Sequence, residues 1–157
     1  MSDQAFNEAL EQLVGSPASR FVLHRDPMLF LDRLTAIGPE SVECEWQVRE
    51  DFALVVPGHG VPAYAGIEYM AQCVAVHSGA RAHARGQEPP LGLLLGTRNF
   101  ECSVPYFEVG GEFRAVCQEL IRDSQGMGSF ACRIEKQGTT IAKANLAVFE
   151  TPEDSDE

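Results

Sequence analysis

Three features of this 157-residue sequence predict an α+β fold in which one long helix lies against an antiparallel sheet. The stretch from Val61 or Pro62 to about His83 is the only long internal helical pattern, and it is apolar over a wide arc. Strand-like runs flank it on both sides. The later runs are joined by Gln125-Gly126 and Gln137-Gly138, dipeptides suited to tight hairpin turns.

Taken in order, Phe6, Leu10, Leu13 and Val14 fall at helical spacing, so a short amphipathic helix over Asp3 to Val14 is expected, ending at Gly15 and Pro17. A loop, Leu23-His24-Arg25-Asp26-Pro27, leads into a strand over Leu29 to Ile37, and Gly38-Pro39 makes a turn. From Ser41 to Val48, Val42, Cys44, Trp46 and Val48 alternate with Ser41, Glu43, Glu45 and Gln47, the pattern of a strand with one buried face. After the helix, Gly86, Pro89 and Pro90 force a break. Strands are then expected over Leu91 to Cys102, Glu112 to Arg122, Met127 to Lys136 and Thr140 to Glu150. No repeat or linker divides the chain, so residues 1–150 read as one domain, with residues 151–157 an acidic, disordered tail. A single helix with so wide an apolar face must be wrapped by the sheet, which is the logic of the hotdog fold.

Composition narrows the function. A formal net charge of −11 argues against a nucleic-acid partner or an anionic membrane surface. No apolar run approaches the length of a membrane span, and the N-terminus lacks a signal pattern, so a cytoplasmic protein is expected. Cys44, Cys73, Cys102, Cys117 and Cys132 lack metal-binding spacing and read as buried free thiols. Arg81, Arg85 and Arg98 bracket the helix end. They either complement its dipole or form a positive patch for a phosphate or an acidic partner.

Glu68 and Gln72 stand four apart, on one face of the central helix. A carboxylate there is costly to bury unless it is paired or used, and desolvation would raise its pKa into the range of a general acid. His59, in Gly58-His59-Gly60, precedes the helix and suits proton abstraction near neutral pH, although the same loop suits a solvated turn residue. His24 reads as a residue that caps or packs its loop, His77 as packed and His83 as exposed. Ser78, Ser103 and Ser129 show no accompanying histidine–acid constellation.

The residues resemble a known family. His24-Arg25-Asp26-Pro27-Met28-Leu29-Phe30-Leu31-Asp32-Arg33, Pro62 with Glu68-x-x-Ala71-Gln72, and Gly96, Phe100, Val104, Pro105, Gly110 and Gly111 resemble hotdog-fold 3-hydroxyacyl-(acyl carrier protein) dehydratases of fatty-acid and polyene biosynthesis. The wording Val61 to Gln72, with Leu94-Leu95-Gly96-Thr97-Arg98, is most similar to the branch found with aryl-polyene pathways. One departure stands out. In the housekeeping enzymes the Gly-His pair lies further upstream of the glutamate, whereas here His59 precedes Glu68 by only nine positions, and Pro62-Ala63 replaces a Pro-Gly.

The resemblance implies a dimer in which the histidine of one subunit faces the glutamate of the other. On that basis His59 is the expected base and Glu68 the acid. Val61, Pro62, Gly66, Gln72 and Arg98 are the expected substrate contacts. Backbone N–H groups at a helix start near Pro62 would polarise the thioester carbonyl, and Gly66 would admit an acyl chain or simply pack helix on strand. The implied partners are an acyl carrier protein with its phosphopantetheine-linked substrate and a second subunit, a copy of this chain or a related dehydratase. No cofactor is expected. Two other functions fit the same residues: a hotdog thioesterase using Glu68 to activate water, and a non-catalytic subunit that binds the carrier or a dehydratase.

Overall fold

Alternation between apolar and polar side chains sets the sheet, and the apolar stripe of one helix fills it. The computed structural model describes residues 1–151. The predicted tail lies outside them except for Thr151. Helix α1 (Asp3–Glu11) is capped by the Ser2 hydroxyl, which accepts the Ala5 N–H, and buries Phe6 and Leu10. It stops a turn earlier than expected because Gly15, at φ +93°, swings the chain so that its N–H reaches Leu34 O.

Strands β1 (Arg33–Gly38) and β2 (Ser41–Gln47) form a hairpin. The central helix α2 spans Gly66–Ala84. It is followed by β4 (Gly92–Cys102), β6 (Glu112–Arg122), β7 (Met127–Lys136) and β8 (Thr139–Glu150), while β3 (Val61–Pro62) and β5 (Tyr106–Phe107) make a separate small ladder. The main sheet is six-stranded, in the order β1-β2-β6-β7-β8-β4, and its pairings are antiparallel. With α2 packed across it, this is the hotdog arrangement.

Three differences from the sequence reading have local causes. The first strand begins at Arg33 rather than Leu29, because Phe30 gives its N–H to the Gln72 side chain rather than to a neighbouring strand. The β3–β5 ladder is too short to show a period. The α-helix begins at Gly66, since Ala63–Ala65 form a 3-10 turn ahead of it.

The core centres on α2. Tyr69 stacks on Trp46 with ring centroids 4.1 Å apart, and Phe30, Phe107 and Phe113 pack edge-on or offset around that pair. Cys44, Cys73, Cys117 and Cys132 are buried and free, while Cys102 is half-buried. Cys117 and Cys132 face one another across β6 and β7. Burial pushes the Cys117 thiol well above its ordinary range, as suits a packing residue. Glu150 ends β8, as expected, as a buried carboxylate bound to Arg122 at 2.8 Å. No helix among the described residues is long and apolar enough to cross a membrane.

His77 is fully buried, as expected, and His83 is exposed. The Nε2 of His77 lies 3.1 Å from Gly38 O, so Nε2 carries the proton and donates it to that carbonyl. Burial, and then the charge of Arg81, lowers its pKa from 6.5 to about 4. A base whose folded pKa is depressed keeps its full stability above the unfolded value and loses it as pH falls through that window. We therefore expect stability to decline between pH 6.5 and 4, by up to about 3 kcal/mol from this group. Denaturant midpoints of wild type and His77→Leu across that range check this: the variant's curve should be flatter by that amount.

Candidate active site

Glu68 lies in the first turn of α2, on the side that meets the loop carrying His24. Gln72, one turn further on, is 1% exposed and makes three contacts. Its Oε1 accepts the Phe30 N–H at 2.8 Å, and its Nε2 donates to Met28 O at 2.8 Å and to Glu68 Oε1 at 2.9 Å. Each bond satisfies a group that would otherwise be left unpaired, worth about 1–3 kcal/mol where burial is complete. Gln72 thus anchors the 28–30 segment to the helix and fixes the Glu68 rotamer. Gln72, expected as a substrate contact, spends its amide on these three groups at the end of the cavity.

His24 Nε2 is 3.9 Å from the same Glu68 oxygen, beyond hydrogen-bond reach but close enough for an electrostatic pairing. Its Nδ1 is buried without a hydrogen-bond partner. Both side chains remain about 40% exposed, at 38% and 41%. The expectation that Glu68 is deeply desolvated is therefore corrected: this face of α2 is open in the single chain. Because His24 and Gln72 both approach Oε1, Oε2 takes no hydrogen bond among the described residues.

A cavity of about 510 Å³ opens beside this carboxylate. His24, Glu68 and Gln72 line it at one end, and Ala75, Ser78 and Leu91 to Leu94 line it further along. A short polar end and a long apolar wall suit a molecule that reacts at its polar end and carries a hydrocarbon chain.

The other predicted residues fall elsewhere. His59 is exposed and stacks on Tyr106, with ring centroids 4.8 Å apart, on the loop before β3. No contact joins it to Glu68 within the chain. Val61 is buried and pairs with Phe107, and Pro62 pairs with Tyr106, so both build the β3–β5 ladder rather than the cavity wall. A Cβ at Gly66 would sit 3.3 Å from Phe107 and 3.4 Å from Ile134 and Phe100, so its surroundings give this glycine a packing role in place of the expected substrate contact. Gly66 N–H is taken up by Ala63 O and Tyr64 O, which moves the helix-terminal donors a turn beyond Pro62. Arg98 is exposed on β4 in register with Asn145, away from both Arg81 and the Glu68 cavity.

Sequence reasoning undervalued His24. The signal was present: the His-Arg-x-Pro stretch carries the resemblance, but only the return of the chain over α2 shows that its histidine meets the helix glutamate. The cavity wall at Pro89 to Leu94 was read simply as a helix break and a strand.

Comparison with known proteins agrees with this fold. The dehydratase heterocomplex ApeI:P from Xenorhabdus doucetiae shares 30% identity over 87% of this chain and 92% of that one, with a TM-score of 0.81. A hypothetical thioesterase with coenzyme A from Streptococcus pneumoniae (12% identity, 76% of this chain and 85% of that one, TM-score 0.58) shares the fold alone. So does a mutant thioesterase from Pseudomonas aeruginosa (16% identity, 76% and 81%, TM-score 0.55). No curated protein sequence matches significantly. Residues 16–157 match the ApeP dehydratase profile across nearly the whole fold, and the chain belongs to the ApeP-like dehydratase family.

Proposed function

We propose that this protein removes water from 3-hydroxyacyl thioesters held on an acyl carrier protein, giving trans-2-enoyl thioesters for fatty-acid or aryl-polyene assembly. The observation that carries the reading is the Glu68 carboxyl group: oriented through one oxygen by Gln72, free at the other, and set at the polar end of an apolar cavity. Elimination needs a base for the C2 proton and an acid for the leaving C3 hydroxyl, with the negative charge on the thioester oxygen stabilised meanwhile. Glu68 suits the acid. The base is a histidine, and His59 fills that role when it reaches across to the Glu68 of a second subunit.

A subunit interface suits the exposed parts of the chain. Edge strand β4, with Leu91 just ahead of it, presents exposed Leu93, Leu94 and Leu95 at the Glu68 cavity's side of the sheet, an apolar and unpaired edge that a partner would cover. The partner is a second copy or a related dehydratase, and the heteromeric assembly of the Xenorhabdus relative supports the latter. The geometry of one chain also favours a second assignment, with His24 as the base, because it already stands at Glu68.

Mass spectrometry of a 3-hydroxyacyl carrier substrate tests both the reaction and the base. Wild type should remove one water. His59→Ala should abolish the loss, whereas abolition by His24→Ala with His59→Ala active would move the base to His24. Release of free acid instead of loss of water would overturn the dehydratase reading in favour of a thioesterase. A wild-type protein that becomes active only on addition of a related dehydratase would assign it as one half of a heteromer.

A further inference from the structure

His24 keeps its place beside Glu68 without a ring hydrogen bond among the described residues. Its Nε2 stands 3.9 Å from Glu68 Oε1, and its Nδ1 is buried and unpartnered. An imidazole held in this way owes its position to its main chain.

That main chain is fastened by the next residue. Arg25 Nη1 donates to Val22 O and to His24 O, both at 2.7 Å, the short distance of charge-assisted hydrogen bonds. One nitrogen thereby fixes two carbonyls two residues apart, and with them the planar peptide units that bracket Leu23 and His24. The side chains follow the clamp. Val22 is buried, Leu23 turns outward at 82% exposure, and His24 returns over α2 to Glu68.

The far side of the same loop is fastened differently. Arg25 O accepts the Met28 and Leu29 N–H groups and closes a turn, while the Gln72 amide holds Met28 O and the Phe30 N–H. Residues 22–30 therefore pass Glu68 between two fastenings, Gln72 on the helix and Arg25 within the loop. Gln72 bonds the carboxyl group itself, whereas Arg25 acts on it only through His24. We propose that Arg25 is a positioning residue of this site: its clamp on Val22 O and His24 O holds the His24 imidazole within electrostatic reach of the Glu68 carboxyl group, at the polar end of the cavity. This deepens the dehydratase reading and rests on Glu68 as the reacting group.

The test uses full-length protein and two variants. Arg25→Met keeps the aliphatic stem and removes both donors, and Arg25→Lys returns a charged donor without the planar fork. The His24 ring signals are followed by NMR at one fixed pH in wild type and each variant, with and without Glu68→Gln. In wild type, Glu68→Gln should shift the His24 Cε1–H resonance. In Arg25→Met that response should fall by about half or more, as expected when two groups are uncoupled, and Arg25→Lys should recover part of it. An arginine that merely stabilised the loop would lower the melting temperature and leave the response intact.

Turnover is the second readout: Arg25→Met should lower kcat about tenfold while KM changes less than about twofold, the signature of a misplaced group rather than lost binding. A wild-type His24 signal indifferent to Glu68→Gln, or a full response in Arg25→Met, would overturn the proposal. Unchanged kcat in an Arg25→Met protein that has lost the response would overturn the clamp's part in the reaction. A wild-type protein that shows the response and removes no water would sink the dehydratase reading and still support the clamp.

Discussion

Glu68→Gln lowers the dehydration rate by about 100-fold or more, the usual worth of a positioned general acid, while leaving the fold intact. The substitution keeps the shape and the Oε1 acceptor for the Gln72 Nε2–H, so the anchor between α2 and the 28–30 segment survives. What it removes is the proton that would travel to the leaving hydroxyl. The loss should therefore appear in kcat more than in KM. Single-turnover kinetics on a 3-hydroxyacyl carrier substrate, with thermal melts of both proteins, measure the two halves of this expectation. Unchanged turnover in Glu68→Gln would remove the carboxyl group from the chemistry and leave it a role in positioning alone.

Gly79→Ala should be the most damaging small substitution in the helix. Glycine in a helix interior ordinarily costs about 1 kcal/mol relative to alanine, so the naive expectation is stabilisation. Here the added Cβ would lie 1.9 Å from Phe21 O and 2.8 Å from Phe21 C, both backbone atoms that cannot turn aside as a side chain would. Overpacking against a fixed backbone costs about 3 kcal/mol, the upper end of the usual range, a fall in Tm of roughly 10 °C for a chain of this size. The consequence reaches the site, because Phe21 begins the segment that carries His24 over α2. Gly96→Ala, where nothing lies within 4 Å, is the control and should be close to neutral. A stabilised Gly79→Ala would show that the 18–24 segment is not held against the helix.

Most of the framework was legible because it depends on local periodicity. Strands β6 and β7 begin and end at the predicted residues, and β8 begins one residue earlier than predicted. Gln137 and Gly138 both take positive φ in the hairpin their identities called for. The Glu68–Gln72 pair was legible for the same reason, since i and i+4 on a helix must share a face. The positive patch was only half legible: Arg81 and Arg85 line one cavity, Arg122 joins them from β6, and Arg98 stands apart on β4.

The sequence by itself determined the elements, their buried faces and the helix carboxylate, because each of these follows from the spacing of neighbouring residues along the chain. Only the tertiary structure decided which histidine stands beside Glu68 in one chain, that Gly79 makes room for the backbone of Phe21, and that Glu119 and Glu150 bind Arg122. Apart from that of Glu119, those are contacts between residues tens of positions apart. The chain's return path over α2 sets them, and no local pattern encodes that path.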